Sequence, residues 1–257
     1  MFREVRTVFA FFREQDIQEI VRSTLNYLGR HYLFLPILPY VIHKIRSFNE
    51  TNDLDTLINF TYSFWHGFIQ PWQIRYELVE FVKYIKEEKP RVILEIGTAL
   101  GGTLFLFCHV ASENAVLISL DLPLARWGGG YSLARIPLYE SFITKHQQLF
   151  LIREDSHKLE ILEKVKTILN GKKINLLFID GDHTYEGVKK DFEMYSPLVE
   201  KNGVIAIHDI IESKHKGCEV YKFWNEIELK YEHKTIVENY NQHWGGIGLI
   251  KNKYLSD

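Results

Sequence analysis

The residues from Ile174 to Ile210 read INLLFIDGDHTYEGVKKDFEMYSPLVEKNGVIAIHDI. Two apolar runs flank a helical period, and each run ends in carboxylate and imidazole. Ile174 to Ile179 is too short and too apolar for an amphipathic surface helix, so it predicts a strand covered on both faces. Val204 to Ile207 predicts another. Between them Tyr185, Val188, Phe192 and Tyr195 recur at spacings of 3, 4 and 3, the stripe of one helix face. A strand, helix, strand unit crosses over right-handed and brings the C-terminal ends of both strands to one edge of a parallel sheet. Open α/β sheets bind ligands at that edge. Asp180, Asp182, His183, His208 and Asp209 are therefore expected to converge there.

A chain of 257 residues, 46% apolar and 14% aromatic, can bury one large core with an appendage. Its net charge of -2 creates no general attraction for nucleic acid, and none is expected as a partner. Cys108 and Cys218 do not form a metal-type pair, which fits a reducing compartment. The N-terminal MFREVRTVFAFFREQ lacks the apolar core and cleavage site of a signal peptide, so a cytoplasmic location is expected. Tyr32 to Ile42 holds Pro36 and Pro39 and is far shorter than the ~20 residues of a spanning helix, so no transmembrane segment is expected. Three roles stand open for residues 32–44: burial against the main domain, a subunit contact, or contact with a membrane surface.

Residues 1–70 show helical apolar spacing, as at Ile17, Ile20, Val21, Leu25 and Leu28, and carry no Gly-rich turn or acidic strand end. They predict an N-terminal helical cap, which would close over substrate, build a homo-oligomer interface, or serve structure alone. Residues 71–257 form the main domain. Pro71 is expected in the first turn of a helix whose buried stripe is Ile74, Leu78, Phe81, Val82 and Ile85.

RVILEIGTALGGT follows. Val92 to Ile96 predicts a buried strand, and Gly97, Gly101 and Gly102 predict a turn feeding a helix near Thr103. Glycines let backbone amides approach a ligand, and the helix N-terminus favours a negative group. A dinucleotide fingerprint would need glycine at Ala99, and no Gly-Lys-Ser/Thr follows, which disfavours NAD and ATP. The next strand, Val116 to Leu120, ends at Asp121, 24 positions after Gly97, where an acid accepts hydrogen bonds from ribose hydroxyls. Pro123 to Glu140, with Arg126, Trp127, Gly128 to Gly130 and Tyr131, reads as a long loop suited to a lid. A strand at Leu149 to Ile152 leads to Glu154, Asp155, Ser156 and His157, placed to meet an adenine edge. Leu159, Leu162, Val165 and Leu169 mark a helix, as do Val220, Phe223, Trp224 and Ile227 within 218–231. Thr235 to Val237 and Ile247 to Ile250 predict a closing hairpin turned at Trp244-Gly245-Gly246. The expected fold is α/β: a Rossmann-like, doubly wound, mostly parallel seven-stranded sheet with a C-terminal antiparallel hairpin and the N-terminal helical cap.

From Gln70 to Lys251 the chain resembles class I S-adenosylmethionine-dependent methyltransferases, in the small-molecule branch that includes cephalosporin hydroxylase-like and catechol O-methyltransferase-like proteins. LEIGTALGGT, Asp121, REDSH, FIDGDHTYEGVKKD and GVIAIHDI carry the resemblance. It implies S-adenosylmethionine as cofactor, with its methionine part on Glu95, Gly97, Thr98 and Gly101, its ribose on Asp121, and its adenine on Asp155 and Ser156. Asp180 would lie beside the transferable methyl group. The resemblance further implies methylation of a hydroxyl on a small-molecule acceptor, a sugar or natural-product intermediate.

Two residues carry the expected chemistry. A hydroxyl acceptor needs a base or a divalent cation to become nucleophilic. His183 is the candidate base, with Asp180 beside it; the bland alternative is that His183 orients Asp180 or caps the helix starting near Thr184. Metal-dependent relatives imply an ion on Asp180 and Asp209, 29 positions apart, with Asp182 and His208 as further ligands. His208 departs from the all-oxygen set that magnesium favours, which leaves manganese, iron or no metal open. Asp191 and Glu193 read as solvated helix positions, and Lys189-Lys190 as an exposed face. Two other functions remain: a non-catalytic cofactor-binding or interaction module of this fold, and a cephalosporin hydroxylase-like oxidoreductase.

Overall fold

The computed structural model describes residues 35–48, 53–64, 67–123, 130–144 and 146–253. The expected helix positions from Ile17 to Leu28, and Arg126, Trp127, Gly128 and Gly129 of the expected lid, lie outside the described residues.

Seven strands form one sheet: β1 (Val92–Ile96), β2 (Val116–Leu120), β3 (Gln148–Ile152), β4 (Ile174–Ile179), β5 (Val199–His208), β6 (His233–Ile236) and β7 (Ile247–Lys251). Their order is β3-β2-β1-β4-β5-β7-β6. The first five are parallel, and β7 runs antiparallel to both β5 and β6. Chain order reverses between β1 and β4, so this pair is the switch point of the sheet.

Alternation along the strands sends side chains to two cores. One face combines Ile93, Leu117, Leu176, Phe178 and Ala206 with α3 (Arg75–Glu88) and α4 (Gly102–Val110). The other joins Leu94, Ile118, Leu177, Ile205 and Ile207 to α6 (Leu159–Leu169), α7 (Tyr185–Tyr195) and α8 (Val220–Ile227). The helices α1 (Leu38–Arg46) and α2 (Leu54–Ser63) belong to the first core: Val41, Ile45, Leu57 and Ile58 are buried in one cluster with Phe81 and Phe105. Leu35 and Tyr40, in the stretch for which membrane contact was one reading, are half exposed. No helix among the described residues is long and apolar enough to cross a membrane. The short α5 (Ile136–Glu140) completes the first face, where Tyr139 packs on Phe142 and Tyr131.

Several expected boundaries shift. Pro71 does not open a helix; α3 starts at Arg75 with Ile74 at its N-cap, and Pro71 instead packs against Gly102, where a Cβ would lie 2.5 Å from the Pro71 nitrogen. β5 begins at Val199, earlier than the apolar run: Val199 pairs with Ile174, and the polar Glu200, Lys201 and Asn202 precede the point at Val204 where pairing with β4 resumes. An irregularity in the β4–β5 register accommodates this extension, with Ile174 opposite Val199 but Leu176 opposite Val204. β6 and β7 are joined by residues 237–246 rather than by a tight turn.

Candidate active site

A cavity of about 900 Å³ opens at the C-terminal ends of β1, β2, β4 and β5. Its wall includes Gly97, Asp121, Asp155, Ser156, Asp180, Asp182, His183, His208 and Asp209. The right-handed crossovers thus do what the strand pattern required of them.

The glycine turn is built for close approach. Gly97 has φ +93, and a Cβ there would lie 1.9 Å from the carbonyl oxygen of Asp180, so the first and fourth strand ends touch only because this residue is glycine. Ala99 also adopts a left-handed backbone, φ 45, at the position where the dinucleotide fingerprint has glycine. Its conformation is held from both sides: its N–H donates to Asp121 Oδ2 at 2.9 Å, and its carbonyl accepts from Tyr139 Oη at 2.7 Å. Burial pushes the Asp121 carboxyl up to about 6, against hydrogen bonds from backbone amides.

Three of the residues expected to touch the methionine part of the cofactor stand behind the cavity wall. Glu95 is fully buried and accepts from Thr98 Oγ1 at 3.0 Å and from Thr103 Oγ1. Burial pushes its carboxyl up to about 8, with the Thr103 and Thr98 hydrogen bonds opposing. Thr98 also meets Ser119 Oγ at 2.6 Å, and Gly101, at φ +85, packs under Tyr139. These residues shape the turn, while Gly97 and Ala99 line the cavity itself.

The acid–histidine cluster is tighter than the sequence could indicate. His208 Nδ1 donates to Asp180 Oδ1 at 3.0 Å, and Gln73 Nε2 donates to Asp180 Oδ2 at 2.6 Å. His183 Nδ1 lies 3.0 Å from Asp209 Oδ2, and its Nε2 lies 3.6 Å from Asp180 Oδ1. Gly245 N–H donates to Asp209 Oδ1 at 2.9 Å. Asp209 sits at φ 61, a left-handed conformation rare outside glycine. Burial opposes charge on both imidazoles, but the neighbouring carboxylates prevail. Asp209, Cys218 and Asp180 hold His183 up at about 11, and Asp180 with Asp209 hold His208 up at about 9. Burial likewise opposes charge on Asp209, yet His208 and His183 hold its carboxyl well below the usual range.

These contacts bear on the expectation of His183 as a base. Asp209 Oδ2 lies 3.0 Å from Nδ1 and Asp180 Oδ1 lies 3.6 Å from Nε2, so the neighbouring carboxylates favour the protonated ring, a form that does not act as a base. Nor is His183 the helix cap, because Thr184 takes that place by accepting from Gly187 N–H.

Asp182 does not join the ion-binding set. Its Oδ1 accepts from Thr184 N–H at 2.9 Å, and its carboxyl packs against Gly187, where a Cβ would lie 2.2 Å away. Asp180, His208 and Asp209 do converge, with ligand atoms all within 4.8 Å.

Asp191 is also corrected. It is fully buried, and Oδ1 lies 3.3 Å from His157 Nε2, because Asp191 falls on the inner face of α7 beside Val188 and Phe192. Among the lining residues, Gln73, Trp72 and Cys218 escaped the sequence reading. Cys218 stood out only as an unpaired cysteine, and nothing local tied it to His183.

This sheet order, with a cavity at the switch point, is a Rossmann-like architecture that solved methyltransferases share. Residues 94–210 match the family described as a methyltransferase domain. Among solved structures, the O-methyltransferase from Bacillus cereus, in complex with SAH, is similar at 14% identity and a TM-score of 0.51, covering 82% of this chain and 90% of that one. The O-methyltransferase TomG from Streptomyces achromogenes, involved in tomaymycin synthesis and solved with SAM, is similar at 14% identity and a TM-score of 0.52, covering 77% and 89%. Identities this low show the shared fold. An uncharacterized protein of Acanthamoeba polyphaga mimivirus is 30% identical over 142 residues, 55% of this chain. The chain spans less than two thirds of the curated relatives it matches, 62% of that protein and 15% of an uncharacterized protein of Sinorhizobium fredii.

Proposed function

We propose that the chain is an S-adenosylmethionine-dependent methyltransferase that methylates a hydroxyl oxygen on a small molecule. One observation carries the reading: a single cavity joins the Gly97 turn, the buried Asp121 and the Asp155-Ser156 strand end to the acid–histidine cluster. Its size lies within the range of small-molecule sites. The residues suit the cofactor. Gly97 and Ala99 offer bare backbone to its amino-acid part, Asp121 accepts from ribose hydroxyls, and Asp155 with Ser156 faces adenine. Bound there, S-adenosylmethionine supplies a methyl group on a cationic sulfur, so the protein's work is alignment of the acceptor.

The acceptor's place follows from two tryptophans. Trp72 precedes Gln73, which binds Asp180, and Trp244 precedes Gly245, which binds Asp209. Both indoles therefore flank the cluster, and both are partly exposed at the cavity. They suit an acceptor with a flat or apolar face beside its hydroxyl. Asp180 takes the hydroxyl proton as the methyl group passes from sulfur to oxygen, with Gln73 and His208 holding its carboxylate and His183 beside it.

The test is calorimetry with S-adenosylhomocysteine, followed by transfer of labelled methyl to a metabolite extract. One site per chain and a labelled small-molecule product are expected. Binding without any transferable label would favour the non-catalytic module, and no binding would end the methyltransferase reading.

A further inference from the structure

The cavity holds a second ligand set that overlaps the first only at Asp209. His183, Asp209 and Cys218 each offer one ligand atom, and these atoms lie within 4.8 Å of one another. They come from three places in the fold: the loop after β4, the residue after β5, and the segment before α8. Backbone hydrogen bonds hold them in place. Glu219 N–H donates to the His183 carbonyl at 2.7 Å, which fixes Cys218 beside the ring, and Gly245 N–H holds Asp209 Oδ1. We propose that His183, Asp209 and Cys218 form a binding site for one thiophilic divalent cation, Zn²⁺ or a close substitute.

The donor chemistry separates this site from the magnesium expectation. Thiolate, imidazole and carboxylate are the ligands that zinc accepts, and magnesium does not favour sulfur. Three protein ligands with a fourth position open is the zinc pattern for sites that receive a ligand. That position faces the cavity, since His183 and Cys218 both line it.

The surroundings of His183 supply the independent sign. A metal-bound histidine typically gives its other ring N–H to a carboxylate, which is itself hydrogen-bonded. With Nδ1 turned to Asp209, His183 directs Nε2 toward Asp180 Oδ1 at 3.6 Å. Asp180 is in turn held by Gln73 at 2.6 Å and His208 at 3.0 Å. A cation at Nδ1 would take the place of one proton there and leave this outer relay unchanged. In the competing set, His208 has Nδ1 committed to Asp180, while its buried Nε2 has no hydrogen-bond partner. The site is read from protein ligand atoms alone and does not depend on methyl transfer.

Cobalt(II) is the probe. The full chain, stripped with a chelator and kept reduced, is titrated with Co²⁺ in the absence of cofactor and followed by absorption. One Co²⁺ per chain with a thiolate-to-cobalt charge-transfer band is expected, and Zn²⁺ should displace it. Cys108, the other cysteine, is buried in the core, so a band in the unaltered chain reports Cys218 and needs no variant. Cys218→Ser should abolish the band, whereas Asp180→Asn should keep it while weakening Co²⁺ roughly 10- to 100-fold. Absence of Co²⁺ binding overturns the proposal. So does Co²⁺ bound without the band, or a bound ion that survives Cys218→Ser unchanged.

Discussion

His157 Nε2 lies 3.3 Å from Oδ1 of Asp191, a carboxylate that is fully buried beneath α7. The pair joins the loop after β3 to a helix on the far side of the cavity wall, and His157 also meets the Gly187 carbonyl at 3.2 Å. The Asp191 carboxylate beside its ring holds His157 above its ordinary value, with burial opposing. Burial holds Asp191 above the usual carboxylate range, with His157 opposing.

Both shifts have the same sign for stability. A raised folded value contributes stability that is complete below the unfolded pKa, near 6.5 for histidine, and is lost as pH rises through the folded value. His157→Gln should cost roughly 1–3 kcal/mol in mildly acidic solution, and the gap in melting temperature should narrow toward alkaline pH. Asp155, whose Oδ1 lies 3.8 Å from His157 Nδ1, and Asp182 face the same pair. A gap that widens with pH would show that the ion pair is not what holds this wall.

As the proposed ribose acceptor, Asp121 should make cofactor affinity pH-dependent. Ribose hydroxyls donate more strongly to a carboxylate than to its protonated form, which loses one acceptor oxygen, so binding should weaken as pH falls through about 6. Asp121→Asn should remove that dependence and lower affinity about 10-fold or more. Calorimetry with S-adenosylhomocysteine across pH checks both; a pH-independent native affinity would count against the ribose role.

Gly97→Ala should be among the most damaging single changes. Its Cβ would overlap the Asp180 carbonyl at 1.9 Å, and φ +93 is strained for alanine besides. The expected result is loss of cofactor binding with a lowered melting temperature. Ala99→Gly should instead preserve both, because the left-handed φ 45 suits glycine.

His183→Ala should cut turnover by roughly 10- to 100-fold, the scale of losing a residue that positions the acids at the reacting group. It would also leave His208 as the one imidazole of the cluster between Asp209 and Asp180. Melting temperature should therefore drop at neutral pH and partly recover on acidification, as a carboxylate takes up a proton. Cofactor affinity is expected to change little, since Asp121 and the Gly97 turn do not contact His183.

Much of this site was legible because parallel strands end at a common edge. Gly97, Asp121, Asp155, Ser156, Asp180, His183, His208 and Asp209 all follow apolar runs, and all of them reach one cavity. What misled was local character. Asp191 looks solvated in a helix rich in charge, and only the packing of α7 shows that it faces inward. Glu95 and Thr98 occupy motif positions, yet their side chains turn under the loop to bind each other.

By itself, the sequence determined the sheet, its parallel core and the edge where chemistry gathers, because strand burial and crossover handedness follow from residue pattern. Only the tertiary structure decided which atoms face which. Gln73 reaches Asp180 across 107 positions, and Cys218 meets His183 through contacts set by the packing of α8. Protonation depends on those same distances: folding places Asp209 at one nitrogen of His183 and Asp180 near the other, and both favour its protonated form.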